Sequence, residues 1–205
     1  MKFNLPPWAN WSSADWKEQK EHCAEIFSNQ LGWDLTDFGS GKFSSTGLLL
    51  FTLRNGNPNE GMKSYAEKIM VVEENQLTPM HFHWSKMEDI INRGGGNLMI
   101  QLYASTKEEE LSKEDFEVNM DGIIHTCAPG EIVVLNPGES ISLTPGLYHS
   151  FRGEPGKGKV LVGEVSAVND DHTDNRFFEK MGRFPEIEED EAMNYFLVSD
   201  YAKLN

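Results

Sequence analysis

The chain has 205 residues, 39% hydrophobic and 25% charged, which suits one domain with a sizeable buried core. Its formal charge of −15 repels phosphodiester backbones and anionic lipid, and Lys and Arg form no basic stripe to offset it. The chain also lacks an apolar run long enough to span a bilayer and a charged-then-apolar leader, so nucleic acid and membrane are excluded as expected partners and cytoplasm is the expected compartment.

In chain order, residues 12–30 read as a helix. Ser12 precedes Asp15 in a capping-box arrangement, Trp16, Cys23, Phe27 and Leu31 recur near helical spacing, and Gly32 supplies a stop. Short β-type runs follow at 46–54, 64–74, 79–84, 88–91, 97–103, 116–120, 131–136, 140–144, 148–151 and 159–168. Turn clusters such as Asn136-Pro137-Gly138 and Thr144-Pro145-Gly146 punctuate them. Many short strands at close spacing predict a mostly β, antiparallel sandwich or barrel. The expected organisation is an N-terminal helical segment (1–45) packed on a barrel (46–178), then a C-terminal extension (179–205) acting as a cap or dimer arm. Cys23 and Cys127 match no CxxC spacing and are expected as buried free thiols, and the acidic run at 186–191 as a solvated segment.

His81 and His83 lie two apart in a run of strand character, so alternation places both imidazoles on one face. Glu88, five residues on, can fold back beside them through a tight turn, and His149 stands on a separate strand after Pro145-Gly146. Three neutral imidazoles and one carboxylate leave a divalent ion with net positive charge and the capacity to accept substrate oxygens. His22, His125 and His172 are expected as non-ligands. The Gly94–Gly96 run reads as a turn rather than a phosphate cradle.

These residues resemble the two cupin motifs. His81, His83, Glu88 and Gly95 fit the first, and Gly138, Gly146 and His149 the second. Asn75 stands where the first motif has Gly, Pro145 falls one place late, and Gly153 replaces a closing Asn. The longer strings SYAEKIMVV (64–72), TPMHFHWSKMEDIINRGGGNL (78–98), PGLYHSF (145–151), LVGEVSAVNDD (161–171) and GWDLTDFGSGKFSSTGLLLFTLRNG (32–56) are similar to the D-lyxose isomerases. The resemblance implies a cupin double-stranded β-helix, or jelly-roll barrel. It also implies a homodimer that uses Mn2+ to interconvert D-lyxose and D-xylulose, often acting on D-mannose as well; Co2+ and Zn2+ stay open as alternatives for the same ligands.

Aldose–ketose isomerisation moves a proton between C2 and C1 through a cis-enediol whose oxygens gain negative charge, which a metal chelating O1 and O2 offsets. Glu164 is the expected base: alternation in KVLVGEVSAV puts it on one face with Val160 and Val162, where desolvation raises a carboxyl pKa. Glu88 is a candidate for a second acid/base role and Lys86 for steadying an oxyanion. Lys68, amid apolar neighbours, is a candidate substrate contact, as are Asp171, Asp174 and Arg176 in a polar segment after the last long strand. Two other functions use the same four ligands: a non-catalytic sugar-sensing cupin and a cupin oxygenase.

Overall fold

The computed structural model describes residues 2–57, 63–168, 173–181 and 193–204. The capping box at Ser12 is formed: its hydroxyl accepts from the Asp15 amide at 3.3 Å and the Asp15 carboxylate from the Ser12 amide at 2.8 Å. The single helix expected over 12–30 is instead broken into α1 (Ser13–Gln19), a 3-10 turn (Lys20–His22) and α2 (Ala24–Ser28). The break has a local cause. The Cys23 thiol donates to the Gln19 carbonyl at 3.2 Å, and the Cys23 amide turns to Lys20 instead. Helix termination comes before Gly32: Gln30 takes φ 52 and the Leu31 amide donates to Ile26, a Schellman closure.

Thirteen described strands follow: β1 (Gly32–Thr36), β2 (Leu48–Arg54), β3 (Tyr65–Val72), β4 (Thr78–Phe82), β5 (Glu88–Gly95), β6 (Leu98–Ala104), β7 (Phe116–Met120), β8 (Ile123–Cys127), β9 (Ile132–Leu135), β10 (Ser140–Leu143), β11 (Leu147–Gly153), β12 (Val160–Ala167) and β13 (Arg176–Phe177). They form an eight-stranded sheet in the order β1-β2-β3-β12-β5-β10-β7-β8 and a five-stranded sheet in the order β13-β4-β11-β6-β9. All the pairings are antiparallel, in the mostly β cupin architecture that the strand pattern and motifs predict. Three strands were not expected, among them the two-residue β13, which falls in the segment read as polar. β1 arises within the segment read as helical and extends the large sheet. β8 closes a hairpin with β7 through Asp121-Gly122, whose φ values of 50 and 83 suit a two-residue turn.

The core fills the space between the sheets. Leu98, Ile100, Leu102, Leu135, Ile141, Val160 and Val162 are fully enclosed there. A second cluster sits at one end, where Trp16, Cys23 and Leu204 pack with Trp8, Phe27 and Tyr201. The C-terminal 3-10 segment (Val198–Leu204) therefore caps the N-terminal helices, tied by the Tyr201 hydroxyl donating to the Leu31 carbonyl at 2.6 Å. Both thiols are buried and free. The acidic run at 186–191 lies outside the described residues.

Two of the three departures from the cupin motifs, at Asn75 and Gly153, are explained by backbone geometry. Asn75 has φ 59, a left-handed position that Asn tolerates best after Gly. At Gly153 a Cβ would meet the Glu73 carbonyl at 2.8 Å, where the chain at 73–74 bridges to the end of β11.

Candidate active site

β4 and β11 lie side by side in the smaller sheet with His81 directly opposite His149. His83 follows β4, a short turn reverses the chain, and Glu88 opens β5 in the facing sheet. One ligand atom from each of His81, His83 and His149 lies within 4.8 Å of the other two, and all three rings are buried. Glu88 Oε1 joins them, 3.1 Å from His149 Nε2 and 3.6 Å from His83 Nε2.

Each imidazole is oriented from behind by a carbonyl. His81 Nδ1 meets Pro79 at 2.7 Å, His83 Nδ1 meets Asp174 at 2.9 Å, and His149 Nδ1 meets Leu147 at 3.0 Å. This places the proton on Nδ1 and leaves the Nε2 lone pair to the shared space, the arrangement that metal-binding histidines use. Burial, reinforced by His149 and His83, holds His81 well below the usual imidazole range, so it is neutral. Burial pushes the Glu88 carboxyl up, but the neighbouring Lys86 ammonium outweighs it and the carboxyl is held well below the usual range. His149 Nε2 is buried and makes no well-directed hydrogen bond among the described residues, although Glu88 is close. An orphaned imidazole nitrogen, two neighbours with lone pairs and an ionised carboxylate together fit a divalent cation.

Opposite this cluster, β12 carries Glu164 and Ser166 on the face shared with Val160 and Val162, as alternation predicts. The environment is not the purely apolar one expected. Glu164 Oε1 accepts from Lys68 Nζ at 3.2 Å, Lys86 Nζ at 3.1 Å and Ser166 Oγ at 3.1 Å. Lys68 reaches it because it is the direct cross-strand partner of Glu164 on β3. Lys86 spans the site, with Nζ also 2.6 Å from Glu88 Oε2. Glu164, both lysines, Glu88 and the three histidines line one cavity of about 30 Å³.

Of the expected substrate contacts, Lys68 lines this cavity, whereas Asp174 and Arg176 do not. The Asp174 carboxylate is buried against the 83–88 turn and accepts from the Ser85 amide and hydroxyl, both at 2.9 Å, and from the Lys86 amide at 3.0 Å. Arg176 turns outward, bonding Glu109 at 3.1 Å and the Phe177 carbonyl. Asp171 and His172 lie outside the described residues. His22 and His125 are exposed and stand apart from the cluster. Sequence reasoning missed Thr78, Phe38, Asn175 and Phe177 on the cavity wall, Phe177 with its ring centroid 5.4 Å from that of His81. Asn175 and Phe177 alternate with the two residues singled out, so a period-2 reading of 174–177 would have found them.

Comparison with known proteins matches this arrangement to a family. The D-lyxose isomerase family model covers residues 1–201. A D-lyxose/D-mannose isomerase of Serratia proteamaculans is 51% identical over 203 residues, covering 98% of this chain and 89% of its own. Its counterpart from Escherichia coli O157:H7 is also 51% identical, covering 97% and 88%. Among solved structures, Geodermatophilus obscurus L-ribose isomerase superposes with a TM-score of 0.53 at 14% identity, over 86% of this chain and 94% of its own, a likeness of fold. With the family model spanning nearly the whole chain and half the residues shared with two of its relatives, the chain belongs to the D-lyxose isomerase family.

Proposed function

We propose that this chain is a metal-dependent aldose–ketose isomerase that converts D-lyxose to D-xylulose and D-mannose to D-fructose. The observation that carries the reading is the facing pair of assemblies in one buried cavity: the His81, His83, His149 and Glu88 cluster on one side, and Glu164 held by Lys68, Lys86 and Ser166 on the other. His81, His83, Glu88 and His149 would hold the cation, which supplies Lewis acidity that offsets charge on O1 and O2 of the enediol.

Glu164 takes the C2 proton, its carboxyl exchanges with solvent and delivers a proton to C1, while the hydroxyl proton of O2 passes to O1. Its three donors converge on one oxygen and fix the carboxylate's orientation. Lys86, between Glu164 and Glu88, is placed to donate to a sugar oxygen as it gains charge. Lys68 sets the base and lines the wall beside it. Glu88 is the second acid/base, in contact with Lys86 Nζ. Mn2+ as the metal, a homodimer as the assembly and cytoplasm as the compartment complete the reading, on the family resemblance.

The test is an aldose panel with metal-stripped protein, with and without restored Mn2+, run in D2O. Ketose formation that requires metal and carries solvent deuterium onto the sugar is expected. Metal-loaded, folded protein that leaves every pentose and hexose unchanged would overturn the proposal. Product formation that stops under anaerobic conditions would point instead to an oxygenase.

A further inference from the structure

Strict alternation along β4 would turn Thr78, three residues from His81, toward the opposite face. The register shows otherwise. His149 stands opposite His81 and Phe151 opposite Thr78, so two steps on β11 match three on β4. The extra residue is a β-bulge, which reverses the phase of the strand. Thr78 therefore shares the cavity wall with His81, His149 and Phe151. Its side chain is 2% exposed, and Oγ1 is fully enclosed with no hydrogen-bond partner among the described residues.

A hydroxyl buried without a partner is costly, and a ligand that supplies one recovers that cost. A threonine hydroxyl both donates and accepts, which matches another hydroxyl in either sense. Thr78 is neutral and lies three residues along a bulged strand, at most about 10 Å, from His81, so it is set apart from the groups that hold and polarise C1 and C2. We propose that Thr78 is a specificity-determining residue, hydrogen-bonding one sugar hydroxyl beyond the C1–C2 pair. The inference rests on the isomerase reading above and adds a second point of recognition to it.

The test compares wild type, Thr78→Val and Thr78→Ser, each metal-loaded, on the preferred aldose and its analogues deoxygenated singly at C3, C4 and C5. Valine keeps the shape and deletes the hydroxyl, and serine keeps the hydroxyl. The expected result is a loss of about tenfold in kcat/KM for T78V on the intact sugar, with T78S close to wild type. On the one deoxy sugar that lacks the contacted hydroxyl, T78V and wild type should be equal, closing a double-mutant cycle. Equal loss on every analogue, or no loss on the intact sugar, overturns the proposal. Where valine disturbs folding or metal content, Thr78→Ala carries the same comparison with the same outcomes. A wild type inactive on every aldose refutes the isomerase reading itself rather than the part played by Thr78.

Discussion

Glu164→Gln is the substitution that probes the proposed chemistry most directly. Glutamine keeps the length and one acceptor oxygen, so hydrogen bonds from Lys68, Lys86 and Ser166 to that oxygen can persist while the proton acceptor is lost. General-base catalysis typically contributes about 10²–10⁴-fold, or roughly 3–5 kcal/mol of barrier. The change also removes a charge: the Lys68 and Glu164 side chains are 6% and 7% exposed, and breaking a buried ion pair costs up to about 3–5 kcal/mol of stability. Lys86 keeps Glu88 at 2.6 Å, which limits that cost. The assay must therefore separate folding from turnover: kcat on D-lyxose, deuterium exchange from D2O, metal per chain and Tm, all on one preparation. The expected variant is folded and metal-loaded, has a lower Tm, and is at least about 100-fold slower in both kcat and exchange. A kcat within threefold of wild type would refute the assignment of Glu164 as base.

Further outcomes follow from the groups around it. His149→Ala removes an imidazole whose Nε2 has no other well-directed partner among the described residues. Its metal affinity should fall by more than the roughly 10–100-fold that loss of a supporting hydrogen bond costs, read by elemental analysis after gel filtration. Asp174→Ala leaves the Ser85 and Lys86 amides without their carboxylate. A stability loss of about 2–4 kcal/mol in urea melts is expected, with weaker metal retention because the same turn presents His83 and Glu88. Glu74 accepts hydrogen bonds from the Gly156 and Gly158 amides, which hold its carboxyl below the usual 4.5. Its contribution to stability is therefore full above that pH and is lost as pH falls below it, and Glu74→Gln should flatten that part of the stability–pH curve.

The convergence of His81, His83, Glu88 and His149 was legible because it depends on residue identity and the two-residue strand period, both of which a sequence displays. Val160, Val162 and Glu164 sharing a face follow from the same period. What escaped depends on local breaks in period. The bulge that turns Thr78 inward shows in TPMHF only as Pro79, which cannot donate to a ladder, and the helix break at Cys23 depends on a thiol finding one carbonyl. β8 is a different kind of omission, since Asp121-Gly122 is a hairpin signal that the composition of IIHTC alone did not prompt. Asp174 and Arg176 were picked for polarity, but polarity says nothing of direction. One faces the turn behind the histidines and the other faces Glu109 at the rim.

Charge balance in the site leads to a final prediction. Among the described cavity residues, Glu88 and Glu164 contribute two negative charges and Lys68 and Lys86 two positive ones, while His81 is held neutral by burial. The protein groups therefore sum to zero if the other two histidines are also neutral, and the site can fold without metal because each of those charges has a partner of opposite sign nearby. A divalent cation added to a neutral cluster leaves its charge for the sugar oxygens, which is where isomerisation needs it. Metal should accordingly act as an ordinary stabilising ligand. At 100 times its Kd it adds about 2.7 kcal/mol, which for a chain of this size raises Tm by about 5–10 °C. Thermal melts across a Mn2+ titration would show this as a graded rise from a cooperative apoprotein transition. An apoprotein with no cooperative transition would refute the balance, because the lysine–glutamate network would then be unable to hold the site together by itself.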